Sequence, residues 1–167
     1  AIVEQARQPC WYAELGVPDT PEGRFEMVAW HAAMVMRRLR REGLPGQALG
    51  QQLFDVMFVD LDGGLRELGV SDLSVGTYVK RLAGNFYARM AALDEALGEP
   101  PRAATAESGQ ALYPALRDNI YERATPDDEQ LATLANYVVE QDLALAGQDG
   151  AALTDGVIAW VDPPSAS

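Results

Sequence analysis

Apolar residues recur every three or four positions along most of the chain, and this spacing restricts the fold more than any other feature of the sequence. Phe25, Val28, Ala32, Val35 and Leu39 step in this way and therefore share one face of a helix. No two alternating apolar and polar runs are joined by a hairpin turn. Because 167 residues suffice for one domain with its own core, the sequence predicts an all-α, single-domain bundle of about five to six helices.

Capping residues divide the first part of the chain, which has this apolar spacing, into three helices. Thr20 can cap the first, and Pro21 suits its first turn because proline lacks the N–H that would have no partner there. The second helix carries an apolar stripe of Phe54, Phe58, Leu61, Leu65 and Leu68. The first helix is predicted to run from Pro21 to about Gly43 and the second from about Gly46 to Leu68. The third is predicted to begin with Ser74 as its cap and to stop at Gly98.

The second part of the chain begins with a stretch rich in Pro, Ala, Ser and Thr, which predicts a loop. Leu112, Leu116 and Ile120 then indicate a fourth helix that Pro114 breaks or bends. A fifth helix is expected to start with Thr125 as its cap and Pro126 at its first position, and to close at Gly147. The domain is thereby divided into an N-terminal segment (1–19), a helical core (20–98), the loop (99–109), C-terminal helices (110–147) and a tail (148–167).

Acidic residues outnumber basic ones by 25 to 13, so the formal net charge is −12. This surplus repels phosphate backbones and argues against a general nucleic-acid or DNA binder. The longest nearly apolar run, Met27 to Met36, falls well short of the roughly 20 residues that cross a bilayer. Residues 1–8 show no signal-peptide pattern, and the single Cys10 permits a reducing compartment. Arginine outnumbers lysine twelve to one, as in GC-rich bacterial genomes, and we expect a cytoplasmic protein.

Four of the thirteen basic residues lie in the last turns of the first long helix: Arg37, Arg38, Arg40 and Arg41. Cations at a helix C-terminus offset the helix dipole and bind the last carbonyl groups, which is a purely structural role. A compact cationic patch on an acidic protein also suits anionic lipid headgroups, ribosomal RNA or an acidic partner. The second interpretation predicts a membrane-surface or ribosome adaptor.

Asp55, Asp60 and Asp62 place three carboxylates within eight residues, which raises the possibility of a carboxylate metal site. Asp55 and Asp62 share a helix face, but Asp60 points elsewhere, and no Glu-x-x-His pair accompanies them. A small helical metalloenzyme is therefore the alternative hypothesis. The favoured one is a solvated face with local ion pairs, such as Asp62 with Arg66, and no bound metal or cofactor.

His31 and a second apolar stripe lie on the first long helix. His31 is the single histidine and is expected to be buried and hydrogen-bonded, with a pH-sensitive or ligand-contacting role as the alternative. Met27, Trp30 and Met34 form the second stripe, rotated from the stripe that contains Phe25. Either the helix is central and buried nearly all round, or one stripe lines a groove.

Short motifs between residues 10 and 125 carry a resemblance to a known family. They are Tyr12, Gly16-Val17-Pro18-Asp19-Thr20, Gly23-Arg24-Phe25, His31, Arg38-Leu39, Phe54-Asp55, Met57-Phe58, Asp60, Asp62, Leu65-Arg66-Glu67, Gly69-Val70, Asp72-Leu73, Val75-Gly76, Phe86-Tyr87 and Arg89. With these motifs in this order along the sequence, the chain resembles the ubiquinol-cytochrome c chaperone family, whose members are assembly factors of respiratory complex III in mitochondria and alphaproteobacteria.

The resemblance implies a non-enzymatic chaperone that binds newly made cytochrome b and assists assembly of the ubiquinol-cytochrome c reductase complex. It implies a peripheral location at the inner membrane, on the cytoplasmic side, or on the matrix side in a mitochondrion. In mitochondria the family works with a small partner protein and contacts the ribosome; neither partner is assumed for a bacterial member. No catalytic residue, metal or cofactor is implied.

We expect the first three helices to form the client surface, because they carry more apolar side chains than one narrow stripe can bury. Polar residues on the second and third helices would form its rim. The candidate client-binding residues are Trp30, Met34, Phe58, Asp55, Asp62, Arg66, Glu67, Lys80, Tyr87 and Arg89.

Overall fold

The computed structural model describes residues 1–67, 69–98 and 105–164, and within these ranges it contains helices and no strand. The helices are α1 (Ile2–Ala6), α2 (Pro9–Ala13), α3 (Pro21–Leu39), α4 (Gly43–Glu67), α5 (Asp72–Leu97), α6 (Ala106–Asn119), α7 (Asp128–Ala146) and α8 (Gly150–Thr154). The five long helices, α3 to α7, share one hydrophobic core. The predicted all-α, single-domain bundle is confirmed.

Helix α3 is the central element of the bundle. It packs against α1, α4, α5 and α7, while α6 pairs with α5 and α7 on the far side. Thr20 caps it as predicted, since its side chain accepts a hydrogen bond from the Gly23 N–H at 3.1 Å. Gly23 has no room for a side chain, because an added Cβ would lie 2.0 Å from the Pro18 carbonyl oxygen.

Helices α4 and α5 begin a few residues earlier than predicted. A 3-10 turn, Arg40–Glu42, follows α3, and α4 starts directly after it at Gly43, whose φ of 66° suits glycine. Helix α5 starts at Asp72 because the Ser71 carbonyl, and not Ser74, receives its first backbone hydrogen bonds. Leu68 of the predicted stripe lies outside the described residues.

The C-terminal helices differ from the prediction in three ways. Helix α6 starts inside the predicted loop because the Thr105 side chain accepts from the Ser108 N–H at 3.2 Å; residues 99–104 lie outside the described part. Pro114 does not interrupt α6. Proline lacks the N–H that would bond the Gln110 carbonyl, but Gln110 and Pro114 are both exposed, so water can bond that carbonyl instead. Asp127 caps α7 in place of Thr125, because Asp127 and Gln130 form a reciprocal capping box.

The tail after α8 docks on the core. Ile158, Trp160 and Val161 pack against buried residues, whereas Val157 is 65% exposed. Backbone groups of Ala159 bond both ends of the Gln148 amide at 2.9 and 2.7 Å, and the Val161 N–H donates to Gln141 at 2.8 Å. The last three residues, 165–167, lie outside the described ranges.

Candidate functional site

The two apolar stripes of α3 differ in burial at the N-terminal half of the helix. Met27, Trp30 and Met34 are at most 1% exposed, so the stripe proposed as a groove belongs to the core. Trp30 and Met34 are therefore inaccessible in the free protein, and their role toward a client stays a prediction. The core encloses them because α3 is covered on several sides by other helices. Phe25 and Val28, on the other stripe, are only half-buried.

Phe25, Val28 and Ala32 of that second stripe line an open groove bounded by α1, α3 and α4, which we call the apolar groove. Its volume is about 680 Å³. Val56 of α4 is 58% exposed and Val3 of α1 is 46% exposed there, so apolar side chains are accessible from outside. The apolar lining consists of Ile2, Val3, Pro21, Phe25, Val28, Ala32, Leu53, Val56, Met57 and Leu61.

The rest of the lining is polar: Thr20 and four charged residues, Arg7, Asp19, Arg24 and Asp60. Arg24 Nε donates to Asp19 Oδ1 at 2.6 Å, and this hydrogen bond lowers the pKa of Asp19. Arg7, Asp19 and Arg24 also border a second depression of about 520 Å³, together with Pro9, Tyr12 and Ala13. The apolar groove and the second depression therefore meet at charged side chains.

An aromatic cluster joins α4 to α5 beside the groove. Phe54 lies 4.5 Å from Phe58, 5.3 Å from Phe86 and 5.5 Å from Tyr87 between ring centroids. Phe58 is 7% exposed and is therefore buried in the free protein, like Trp30; its role toward a client stays a prediction. Tyr87 is 59% exposed and, with the exposed Val59, presents apolar surface on this side of the bundle.

Arg89, another predicted contact residue, is buried and connects three helices. It forms an ion pair with Glu26 of α3, and its Nη2 lies 3.4 Å from Asn119 Oδ1 of α6. Its guanidinium also lies over the Trp30 ring, 5.5 Å from the ring centroid. Burial raises the pKa of Glu26 and lowers the pKa of Arg89, and the attraction between them opposes both shifts. Arg89 therefore positions helices and offers no surface to a client.

The remaining predicted contact residues lie on the outer surface of α4 and α5. Arg66 Nε donates to Asp62 Oδ2 at 2.5 Å, which confirms the predicted pair, and Arg66 also pairs with Asp72. Asp55 accepts a hydrogen bond from Gln51 at 2.8 Å. These side chains, with Glu67 and Lys80, are at least partly accessible, and their role toward a client stays a prediction.

Two of the four clustered arginines are buried. Arg37 Nε lies 3.2 Å from Asp94 Oδ1, and its Nη1 lies 3.7 Å from Asp142 Oδ1. Arg40 Nη2 also reaches Asp94 Oδ1, at 2.5 Å. Arg37 is 1% exposed and its guanidinium is engaged inside the protein, so the adaptor interpretation, which stays a prediction, gains no support from this residue.

Arg38 binds the carbonyl groups at the end of α7. Its Nε donates to the Leu145 carbonyl at 2.9 Å, its Nη2 donates to the Gln148 carbonyl at 2.8 Å, and it also pairs with Glu42. A guanidinium at this position satisfies carbonyls that a helix terminus leaves open. The structural interpretation therefore accounts for Arg37 and Arg38, while Arg41 is half-buried.

His31 forms part of a buried polar network. Its Nδ1 lies 2.7 Å from the Met27 carbonyl, which can only accept, so Nδ1 carries the proton and Nε2 accepts from the Tyr137 hydroxyl at 3.0 Å. The Gln5 amide of α1 donates to that hydroxyl at 3.0 Å and to the Val161 carbonyl of the tail at 3.1 Å. Burial lowers the pKa of His31 to about 4, so the ring is neutral at pH 7. The predicted buried, hydrogen-bonded histidine is confirmed.

Sequence reasoning missed the α1 side of the groove. Ile2, Val3 and Arg7 belong to or follow a helix of five residues, which is too short to show a repeated apolar spacing. The one available signal is that Ile2 and Ala6 are four residues apart, with Ala6 buried.

Two absences within the described residues bear on the alternative hypotheses. No three His, Cys, Asp or Glu side chains in 1–67, 69–98 and 105–164 come together so that they could hold a metal ion. Asp62, one of the three predicted carboxylate ligands, is engaged by Arg66. In the same part of the chain, no helix is both long enough and apolar enough to cross a membrane.

An all-α bundle with an accessible apolar groove and a charged rim is typical of helical proteins that bind other polypeptides. Comparison with known proteins identifies the class more closely. The model of the ubiquinol-cytochrome C chaperone family matches residues 13–160, and the chain belongs to this family.

Two named relatives and one solved structure agree with this membership. The chain is 23% identical to ubiquinol-cytochrome-c reductase complex assembly factor 1 of Xenopus laevis, over 95% of this chain and 76% of that protein. It is 25% identical to ubiquinol-cytochrome c reductase complex assembly factor 1 of Mus musculus, over 96% of this chain but only about half, 52%, of the mouse protein. The crystal structure of the Cbp3 homolog from Brucella abortus superposes with a TM-score of 0.81 at 37% identity, covering 96% of this chain and 84% of that one.

Proposed function

We propose that this protein is a non-enzymatic assembly chaperone that binds newly made cytochrome b and assists its incorporation into the ubiquinol-cytochrome c reductase complex. Membership of the chaperone family supports the chaperone role. The names of the frog and mouse relatives, both assembly factors of that reductase, support the identity of the complex. The client itself follows from the family resemblance of the motifs between Tyr12 and Arg89.

The apolar groove is the observation that carries this proposal. An unassembled membrane segment exposes apolar side chains that water does not solvate well, and a groove of about 680 Å³ can take several of them from one face of a helix. Exposed Val56 lies in its lining, so the apolar surface is already formed before a client arrives. The exposed Val59 and Tyr87 extend the apolar surface beyond the groove.

Release requires only that the finished complex compete for the same apolar segment. If the client segment binds the finished complex more tightly than the chaperone, mass action shifts the client from the chaperone to the complex, and no nucleotide is needed. We propose that the chaperone works at the cytoplasmic face of the inner membrane, where the client emerges.

Site-specific photo-crosslinking tests the placement. A photoreactive residue at Val56 should capture newly made cytochrome b, whereas the same residue at Val157, which is similarly exposed but lies on the tail, should not. A third probe at Tyr87 tells whether the client extends past α4. Capture from Val157 but not from Val56 would reject the groove as the client site.

Deletion of the gene tests the function itself. Loss of the chaperone should lower the level of assembled complex III, with a fall in total cytochrome b, and a chain carrying wild-type Val56 should restore both. Normal complex III in the deletion strain would contradict the proposed role.

A further inference from the structure

We infer that the apolar groove selects an apolar helix that ends in an acidic side chain, which is bound at the junction between the groove and the second depression. This inference rests on the proposed function and names the chemical class of client segment. Three charged residues line both cavities at this junction: Arg7, Asp19 and Arg24.

The junction is cationic on a strongly acidic protein. Two arginines and one aspartate leave it with a net charge of +1, whereas the whole chain carries −12. Arg24 is paired with Asp19. No residue in the described part of the chain pairs with the guanidinium of Arg7, which is exposed at the rim. Arg7 is therefore the cation that is available to a carboxylate of the client.

The two guanidinium groups act on the same part of the surface. Partial burial raises the pKa of Tyr12, and the positive charges of Arg24 and Arg7 both oppose that shift. The Tyr12 hydroxyl is itself fixed by donating to the Ala6 carbonyl at 2.8 Å, and Tyr12 lines the second depression together with both arginines. A carboxylate bound in this depression would share it with two arginines and a single aspartate.

Asp60 sets the orientation of the occupant. It lines the apolar groove from α4, whereas Arg7 lines it from the end of α1, and Asp60 does not line the second depression. An acidic side chain of the client is repelled by Asp60 and attracted by Arg7, so it turns toward α1. Apolar side chains that precede it then lie along Phe25 and Val28.

Such a junction gives a selectivity that apolar surface alone cannot give. Membrane helices carry an excess of Lys and Arg at their cytoplasmic ends. A cationic junction disfavours those ends by repulsion and leaves the smaller set of segments whose apolar stretch ends in Asp or Glu.

Peptide binding to the full chain tests the inference. Three amidated helical peptides share leucines at i, i+3, i+4 and i+7 and differ only in a final Glu, Gln or Lys. At low salt the wild-type protein should bind the Glu peptide about two- to fivefold more tightly than the Gln peptide, and the Lys peptide most weakly. The differences should shrink at high salt because the junction is exposed.

Arg7→Glu should invert the order of the three peptides. The matched control is Arg117→Glu, which changes the net charge equally at an exposed arginine outside the groove and should preserve the wild-type order. Equal binding of all three peptides to the wild type, or the same change in both variants, would overturn the inference and leave the groove itself intact. If no peptide binds, both the inference and the groove placement fail.

A fourth peptide distinguishes the two groups that could supply a carboxylate, an acidic side chain and a free C-terminus. It ends in Gln with a free C-terminus. The inference requires it to bind more weakly than the amidated Glu peptide; equal or tighter binding would show that a chain terminus, and not an acidic side chain, is recognised.

Discussion

The two faces of α3 carry similar apolar residues but have different roles. One face, with Met27, Trp30 and Met34, is sealed by the core. On the other, Phe25 and Val28 are half-buried and line the apolar groove, whereas Val35 and Leu39 further along the helix are buried. Helical spacing finds both stripes, but the elements packed on each stripe decide which one water can reach.

The covering elements explain the difference. The sealed face belongs to a core that includes residues of α5 and α7, helices of 26 and 19 residues. The groove face is bordered by α1, a helix of five residues. A helix of this length is not stable alone, and it cannot cover a long stripe. A short element beside a long amphipathic helix therefore leaves room for a binding site.

The largest expected effect comes from the sealed face. Trp30→Ala should lower the free energy of unfolding by about 3 to 5 kcal/mol, because it leaves a large cavity among fully packed neighbours. Chemical denaturation of both proteins measures this loss, with Trp30→Phe as the control that keeps most of the volume. A loss below about 1 kcal/mol would show that this face is not sealed.

Arg89→Ala should have an effect of similar or slightly smaller size. It leaves the buried Glu26 carboxylate without its partner, at a cost of about 3 to 5 kcal/mol at pH 7. The double variant Glu26→Gln with Arg89→Met should lose much less, because no buried charge is left unpaired.

The pH dependence of Arg89→Ala identifies the cause. Burial raises the pKa of Glu26 in the folded protein, so in the pH range between the unfolded and folded pKa values the native state holds a proton that the unfolded chain releases. Stability from this group is present at low pH and is lost as the pH rises through the folded pKa. Without Arg89 that pKa rises further, so the deficit of the variant should shrink between pH 7 and pH 5. A deficit that is constant with pH would contradict the assignment to Glu26.

His31 should give an opposite, somewhat smaller pH effect on the same sealed face. Its folded pKa is lowered by burial to about 4, whereas the unfolded value is 6.5. Between pH 4 and pH 6.5 the unfolded chain therefore binds a proton at His31 that the folded protein does not bind. About 3 kcal/mol of stability that is present above pH 6.5 is lost as the pH falls to 4. His31→Gln should flatten this slope; Glu26 titrates in both proteins, so the difference between the two curves isolates His31.

Local signals account for what the sequence predicted well and for some of its errors. The Thr20 cap and Pro21 were found because a cap depends on neighbouring residues only. The α7 cap was misplaced because Thr125 with Pro126 satisfies the same local rule, although Gln130 three residues after Asp127 already indicated the capping box.

The errors in the candidate site have a different origin. Arg66 and Arg89 look alike in the sequence, yet one is exposed and the other is 1% exposed, because burial depends on which helices cross at that point. The α1 border of the groove depends on long-range contacts, such as the Gln5 amide with Tyr137. Such contacts leave no periodic signal in the sequence.

The smallest effect on stability, and the sharpest test of the comparison, is expected on the groove side. Val56→Gln should change the free energy of unfolding by no more than about 0.5 kcal/mol, since the side chain is 58% exposed in the free protein. The same change should weaken binding of an apolar helical peptide about fivefold, because a bound peptide would bury this side chain. Val157→Gln is the control, with a similarly exposed valine outside the groove, and should alter neither quantity. Equal peptide affinity in both variants would mean that the open face of α3 is not where the protein binds.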